Sequence, residues 1–244
     1  VAILFLLSVY LPFISQTTRG TRRWLTFFGV NFQPAEFSKV AVCVYFADYL
    51  SRKAKSIARG KIMPFFPPLL VLMTIAFLIL IQPDLGTVVI LFIISAVLFF
   101  LSGIRQRYIW CFAVVAGIIA YFAIIKVPYR MSRIIAYLDP WRDPQGSGFQ
   151  IIQSFVALAL GGLKGVGLGA STQKLFYLPQ SYTDFIFSII GEELGFLGTV
   201  FVVTLFLIFT VVGIRIAHRQ DSPFNRLLAI SLVLLVTVQV IINV

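Results

Sequence analysis

Charge is scarce in this sequence. Asp, Glu, Lys and Arg make up 12% of its 244 residues, about half of what a soluble domain carries. Histidine occurs once, at His218, so no Ser/His/Asp or Cys/His set can be built around it, and it reads as a solvated side chain in a basic loop. Cysteine occurs twice, at Cys43 and Cys111, each inside an apolar block. Neither stands at metal-ligand spacing with another Cys or His, and both read as buried structural thiols. The glycine run at 161–169 has no GK[ST] ending and no preceding strand, which argues against a P-loop. The net charge of +11 does not point to nucleic acid. Its Lys and Arg lie between apolar blocks and form no stripe interleaved with exposed aromatics.

What fills the chain instead is apolar: 59% of residues are hydrophobic, set in long blocks. A helix needs roughly 20 such residues to cross the hydrocarbon core. The expected class is therefore an all-α polytopic membrane protein, a single transmembrane domain over 1–244. Its apolar segments lie at about 1–14, 34–51, 64–82, 85–103, 108–126, 185–214 and 226–244. Pro34 and Pro64 sit where helices begin, since Pro at the first helical position sacrifices no hydrogen bond. The 185–214 block exceeds what a perpendicular span requires, so it is strongly tilted or starts outside the bilayer. The chain begins and ends inside apolar runs, with neither Met nor a basic n-region at Val1. Both ends are expected to cut through membrane helices of a longer protein.

The connecting loops divide by charge. The 52–63 loop carries Arg52, Lys53, Lys55, Arg59 and Lys61 without an acid. Loops 104–107 and 215–225 add Arg105, Arg107, Arg215 and Arg219. Lys and Arg are sparser in 15–33, at the Pro83–Asp84 corner and in 127–184, so the positive-inside rule puts the first set in the cytoplasm. The long 127–184 loop then faces the other side. Within it, the stretch from Phe149 to Leu163 reads as a helix lying on or dipping into the membrane. The glycines that follow read as flexible backbone between re-entrant pieces.

Charges in or beside spans are costly and usually mark function. Glu36 and Lys39, three residues apart, share a helix face: they either fix helix packing as an ion pair or line a polar cavity. Asp84 reads as a helix cap, which does not exclude a site role. Asp48 and Arg52 form an ordinary i,i+4 pair. Glu192 and Glu193 are adjacent and need buried partners, so a structural polar network is expected there. Asp139 and Asp143 look like turn residues. Asp184 ends the long loop. It is either an N-cap or, with its pKa raised by a nearby apolar wall, a general base. Trp24 follows Arg22 and Arg23; the interfacial anchor is the ordinary reading, and a grip on a sugar and a phosphate is the other.

Five stretches carry a family resemblance: RWLTFFGVNFQPAEFSK (23–39), QPDLGT (82–87), LDPWRDPQGSGFQIIQS (138–154), GGLKGVGLGASTQKLFYLP (161–179) and TDFIFSIIGEELGFLG (183–198). They resemble, in order, the motifs of the SEDS family, to which FtsW, RodA and SpoVE belong. The wording of the third and fourth is closer to the division-type branch than to RodA. The resemblance implies a SEDS-type helical bundle of ten spans, with a large extracytoplasmic loop bearing re-entrant or interfacial helices. This chain would cover it from partway through the third span to partway through the ninth.

The implied activity is peptidoglycan glycosyl transfer in the bacterial cytoplasmic membrane, polymerising lipid II for septal or cell-shape wall synthesis. The implied partners are a class B penicillin-binding protein and other divisome or elongasome membrane proteins. By motif match, Asp184 falls on the family's essential loop aspartate. Glu36 and Lys39 fall on its Q-P-x-E-x-x-K acid and base, Asp84 on the acid of QPDLGT, and Trp24 on the R-W tryptophan. Glu36, Lys39 and Asp184 are expected to converge on one outward-facing polar cavity. A divalent cation, magnesium or manganese, follows from the resemblance alone, since the sequence holds no dedicated ligand cluster. The chain departs from the family pattern at Phe176, Gln180 and Tyr182, where many relatives carry an acid, Glu and His. Two other readings stand beside the enzyme: a lipid II flippase, for which a broken helix and repeated halves would be expected, and a non-catalytic divisome scaffold.

Overall fold

The computed structural model describes residues 1–10, 15–18, 21–27, 30–125, 128–173 and 185–243. It bears out the helical membrane architecture. Three helical segments among these residues, Met63–Ile81, Ile186–His218 and Pro223–Asn243, are long and apolar enough to cross a membrane. The chain packs as two compact units: 1–115 with 210–239, and 116–209 with 240–244.

The first unit opens with α1 (Ala2–Ser8), followed by three strands in the region expected to be a plain loop: β1 (Ser15–Thr18), β2 (Thr21–Phe27) and β3 (Val30–Phe32). They pair antiparallel in the order β1-β2-β3, with Gln16 opposite Trp24 and Leu25 opposite Phe32. The sequence gives little warning, because the strands are short and their apolar residues do not alternate cleanly.

Helix α2 (Pro34–Ala58) starts at the expected proline and outruns its apolar segment, because the residues after position 51 are mostly good helix formers in water. Its apolar face, Val42, Cys43, Phe46, Ala47 and Leu50, is fully buried at helical spacing. Against it pack α3 (Phe66–Ile81), entered through a short 3-10 turn at Met63–Phe65, and α4 (Leu85–Leu101). Phe99 is the hub of the core. Its ring centroid lies 4.6 Å from that of Phe65, 5.2 Å from Phe46 and 5.8 Å from Phe112 of α5 (Gln106–Ile125).

The second unit contains α6 (Pro128–Leu138), a 3-10 turn at Pro140–Arg142, α7 (Phe149–Gly161) and the first part of α8 (Ile186–His218). The helix expected from Phe149 is present, while α6 was not foreseen. Helix α9 (Pro223–Asn243) follows α8, and its residues up to Gln239 belong to the first unit.

The 185–214 block is not one straight rod. Its helix is interrupted at Gly195, where φ is 70° and ψ is −168°, a region only glycine occupies at low cost.

Candidate functional site

In the first unit, the residues singled out by sequence gather where α2 and α4 begin. Asp84 caps α4: one carboxylate oxygen accepts the Thr87 N–H at 3.1 Å and the other the Thr87 hydroxyl at 2.8 Å. Gln33, the residue before α2, brings its side-chain nitrogen to 3.5 Å from the same carboxylate. The strand bearing Trp24 is tied to this corner by its neighbour. Arg23 donates through Nε to the Gln82 carbonyl at 2.8 Å and through Nη2 to the Pro83 carbonyl at 2.7 Å. Trp24 itself is half-buried on β2.

One turn into α2, Lys39 forms an ion pair with Glu36, Nζ to Oε2 at 2.8 Å. The two ends of that pair live in different environments: the Lys39 side chain is 2% exposed and that of Glu36 is 50% exposed. Lys39 also donates to Gln239 Oε1 of α9 at 2.9 Å. A buried ammonium is costly unless it is paired and hydrogen-bonded, and Lys39 meets both conditions. The pair therefore fixes packing through Lys39, while the Glu36 side chain is half exposed. Gln239 was missed, although a lone amide in an otherwise apolar run is the kind of signal that marks it.

In the second unit the broken helix and the glycine run repair each other. An unbroken helix would bond Phe196 N–H to the Glu192 carbonyl and Leu197 N–H to the Glu193 carbonyl. Instead those carbonyls accept from Val166 and Gly167, each at 3.0 Å. Phe196 donates to the Gly162 carbonyl at 2.8 Å and Leu197 to the Leu163 carbonyl at 3.3 Å. The chains approach so closely that a Cβ on Gly165 would stand 2.1 Å from the Glu193 carbonyl oxygen, and one on Gly195 would stand 2.3 Å from the Gly165 nitrogen. The glycine run is thus a fitted turn rather than a slack joint.

Glu192 forms the expected polar network. It is 1% exposed and accepts from the Ser171 hydroxyl at 2.5 Å, and from the Thr172 N–H and hydroxyl at 3.0 Å each. Asp143 behaves as the turn residue anticipated for it. The Ser147 N–H, the Ser147 hydroxyl and the Gly146 N–H hold its carboxyl below the ordinary range.

Asp184, Phe176, Gln180 and Tyr182 lie outside the described residues, and so does the expected convergence of Asp184 with Glu36 and Lys39. Among the described residues, no three His, Cys, Asp or Glu side chains come together to hold a metal. Asp84 is engaged by Thr87 and Glu36 by Lys39.

Against known proteins, residues 1–244 match the family described as cell cycle proteins and typified by FtsW, RodA and SpoVE. A relative from Geobacter sulfurreducens, called a probable peptidoglycan glycosyltransferase FtsW, is 42% identical over 98% of this chain and 64% of its own. The stage V sporulation protein E of Bacillus subtilis is 39% identical over 98% of this chain and 65% of its own. The chain thus spans a little under two thirds of the curated relatives it matches. Among solved structures, a chain from a peptidoglycan synthase complex that coordinates polymerization and crosslinking superposes with a TM-score of 0.78 at 27% identity, covering 99% of this chain and 66% of that one. The rod shape determining protein RodA of Thermus thermophilus shares the fold, with a TM-score of 0.65 at 20% identity over 99% of this chain and 62% of its own.

Proposed function

Because the chain belongs to the FtsW/RodA/SpoVE family of cell cycle proteins, we propose that the protein is a peptidoglycan glycosyltransferase. It polymerises lipid II at the outer face of the bacterial cytoplasmic membrane, as a multi-pass protein with 52–63 inside and 127–184 outside. The observation that carries this reading is Lys39, a buried cation held between Glu36 and Gln239 at the end of the bundle where Asp84 caps α4. A donor that brings its own lipid diphosphate needs positive charge where the leaving group departs. Lys39 lends positive potential from beneath the half-exposed Glu36, and Arg residues of the outer loops would meet the diphosphate directly.

Asp184 acts as the general base. Its carboxylate takes the proton of the acceptor sugar hydroxyl, the hydroxyl oxygen bonds to the donor's anomeric carbon, and the bond from that carbon to the diphosphate breaks with inversion. Trp24 offers a ring for a sugar face beside the Arg23 anchor. A class B penicillin-binding protein is the partner that would crosslink the product. The relative called a probable peptidoglycan glycosyltransferase supports the polymerase reading, and the synthase-complex neighbour supports a crosslinking partner.

A flippase is the second reading, and the break in α8 is the observation in its favour, since translocators use discontinuous helices to bind cargo. Yet the polar groups freed at Gly195 are taken up by the glycine turn, which leaves few of them for cargo. The deciding experiment reconstitutes the full-length protein and its partner with labelled lipid II, and scores glycan polymer against movement of lipid II across the bilayer. Polymer made from lipid II supplied on the outer side supports the enzyme; movement without polymer defeats it.

A further inference from the structure

We propose that the end of the bundle where α2 stops and α5 starts binds one anionic phospholipid, its phosphate held by Lys61 and Arg105. Helix α2 ends at Ala58, and Gly60 turns the chain at a φ of 75°. The Arg105 guanidinium, arriving from just before α5, lies across that glycine, where any Cβ would collide with it. Arg105 and Lys61 thereby line one small cleft, together with Ile62, the buried Phe65 and Ile104, and Tyr108. Arg107 rests on Tyr108. Its Nη2 donates to the phenol oxygen at 2.7 Å, and its guanidinium carbon lies 4.7 Å from the ring centroid. The phenol keeps its own hydrogen to donate to an anion.

A basic loop is what membrane topology asks for, but topology asks neither that the cations converge nor that they stay unpaired. In the same loop Arg52 is paired with Asp48. Among the described residues Lys61 and Arg105 form no ion pair, and both are exposed. Two cations facing one cleft repel each other until an anion sits between them. The planar fork of an arginine matches two phosphate oxygens, and a lysine adds a point charge. The cleft lies at the far end of α2 from Lys39, about 30 Å along the helix, and its occupancy does not depend on the polymerase reading.

The apolar surface beside the cleft indicates which anion it takes. Lys61 stands just before Met63, where a segment long and apolar enough to cross a membrane begins. That puts the cleft at headgroup depth. Ile62 and Met63 expose their side chains, and the exposed Phe66 and Leu70 follow down α3 at helical spacing. A free phosphate or an acidic peptide would satisfy the cations and leave this stripe bare. A two-chain lipid with an anionic phosphodiester, such as phosphatidylglycerol, covers both: phosphate in the cleft, acyl chains along Met63, Phe66 and Leu70. Basic pockets between spanning helices hold anionic headgroups in this way.

The experiment is native mass spectrometry of the full-length protein in detergent, titrated with phosphatidylglycerol or phosphatidylcholine. The first phosphatidylglycerol should bind at least about tenfold more tightly than phosphatidylcholine. Lys61→Gln with Arg105→Gln should weaken phosphatidylglycerol by about tenfold and leave phosphatidylcholine unchanged. Arg215→Gln with Arg219→Gln removes the same charge from two exposed arginines elsewhere and should keep the preference. An equal loss in both pairs, or a loss in neither, overturns the site. If Arg105→Gln fails to fold, Lys61→Gln alone should still weaken phosphatidylglycerol by about threefold, and an unchanged affinity there overturns the proposal. Soluble glycerol phosphate and a polyglutamate peptide, each added in the same range, should leave the bound lipid in place. Displacement by glycerol phosphate would make the cleft a soluble-anion site, and displacement by the peptide a protein-docking surface; either result overturns the lipid assignment.

Discussion

Lys39 and Gln239 stand 200 positions apart in the chain and meet at 2.9 Å. The contact ties the first turns of α2 to α9 and gives the buried ammonium a second partner besides Glu36. Because Glu36 is half exposed and Lys39 is not, the two residues should respond differently to substitution. Lys39→Met leaves a carboxylate that water can reach, so folding stability should change little. Glu36→Ala strands a buried cation and should cost about 1–2 kcal/mol, somewhat less than breaking a fully buried pair. Polymerisation should fall at least about tenfold in both. Thermal unfolding in detergent beside lipid II polymerisation tests the asymmetry; a strongly destabilised, active Lys39→Met would reverse it.

Asp184→Asn should abolish polymer formation while leaving folding and partner binding intact. Asn keeps the size and still caps a helix. It cannot accept a proton, and the expected loss is on the order of 10²-fold or more. Asp139→Asn should be mild, since Asn also serves in turns. Gel analysis of polymerised lipid II at equal protein distinguishes the two, and near-normal polymer from Asp184→Asn would reduce that residue to a cap.

The break in α8 can be challenged directly. Gly195→Ala places a Cβ 2.3 Å from the Gly165 nitrogen at a backbone conformation that L-residues avoid. The conformational strain alone should cost about 1–3 kcal/mol. A lowered thermal midpoint in detergent is expected. An unchanged midpoint would mean that the helix can run straight through position 195.

The 143–147 turn should respond to acid. The folded pKa of Asp143 is lowered, chiefly by the Ser147 N–H. Its stabilising effect is therefore complete above the ordinary carboxylate value, near pH 4, and is lost as the pH falls through the lower folded value. Amide chemical shifts of Gly146 and Ser147 should hold down to about pH 4 and move only below it. Asp143→Asn should remove that pH dependence.

Topology can be read by labelling from outside. With Cys43 and Cys111 replaced, a single cysteine at the exposed Gln145 should react with an impermeant reagent in intact cells, and one at the exposed Ala54 should not. Labelling at 54 without 145 would invert the orientation.

How far the sequence foretold this structure depends on the kind of signal. Apolar runs and proline positions located α3, α4 and the start of α2 to within a few residues, because a helix buried in apolar surroundings is specified by composition and length. The Asp84 cap and the Glu36–Lys39 pair were legible because both depend on spacing along one helix. What escaped depends on contacts between distant residues. Gln239 gains its meaning from Lys39, Arg23 from carbonyls at 82 and 83, and Ser171 from Glu192. The break at Gly195 was hidden for the same reason, since GEELGFLG is acceptable as a helix until Gly165 is brought against it.

That break also bears on how the protein is made. Discontinuous backbone is tolerated at membrane depth only when other protein groups satisfy it. Here those groups come from the glycine turn, which leaves the ribosome before α8 does. Partners for the break already exist when the helix emerges, provided the turn has reached the same compartment. On the proposed topology, insertion of α8 would be coupled to translocation of the segment before it. A deletion confined to residues 162–167 would register first as a defect in membrane integration of the helix that follows.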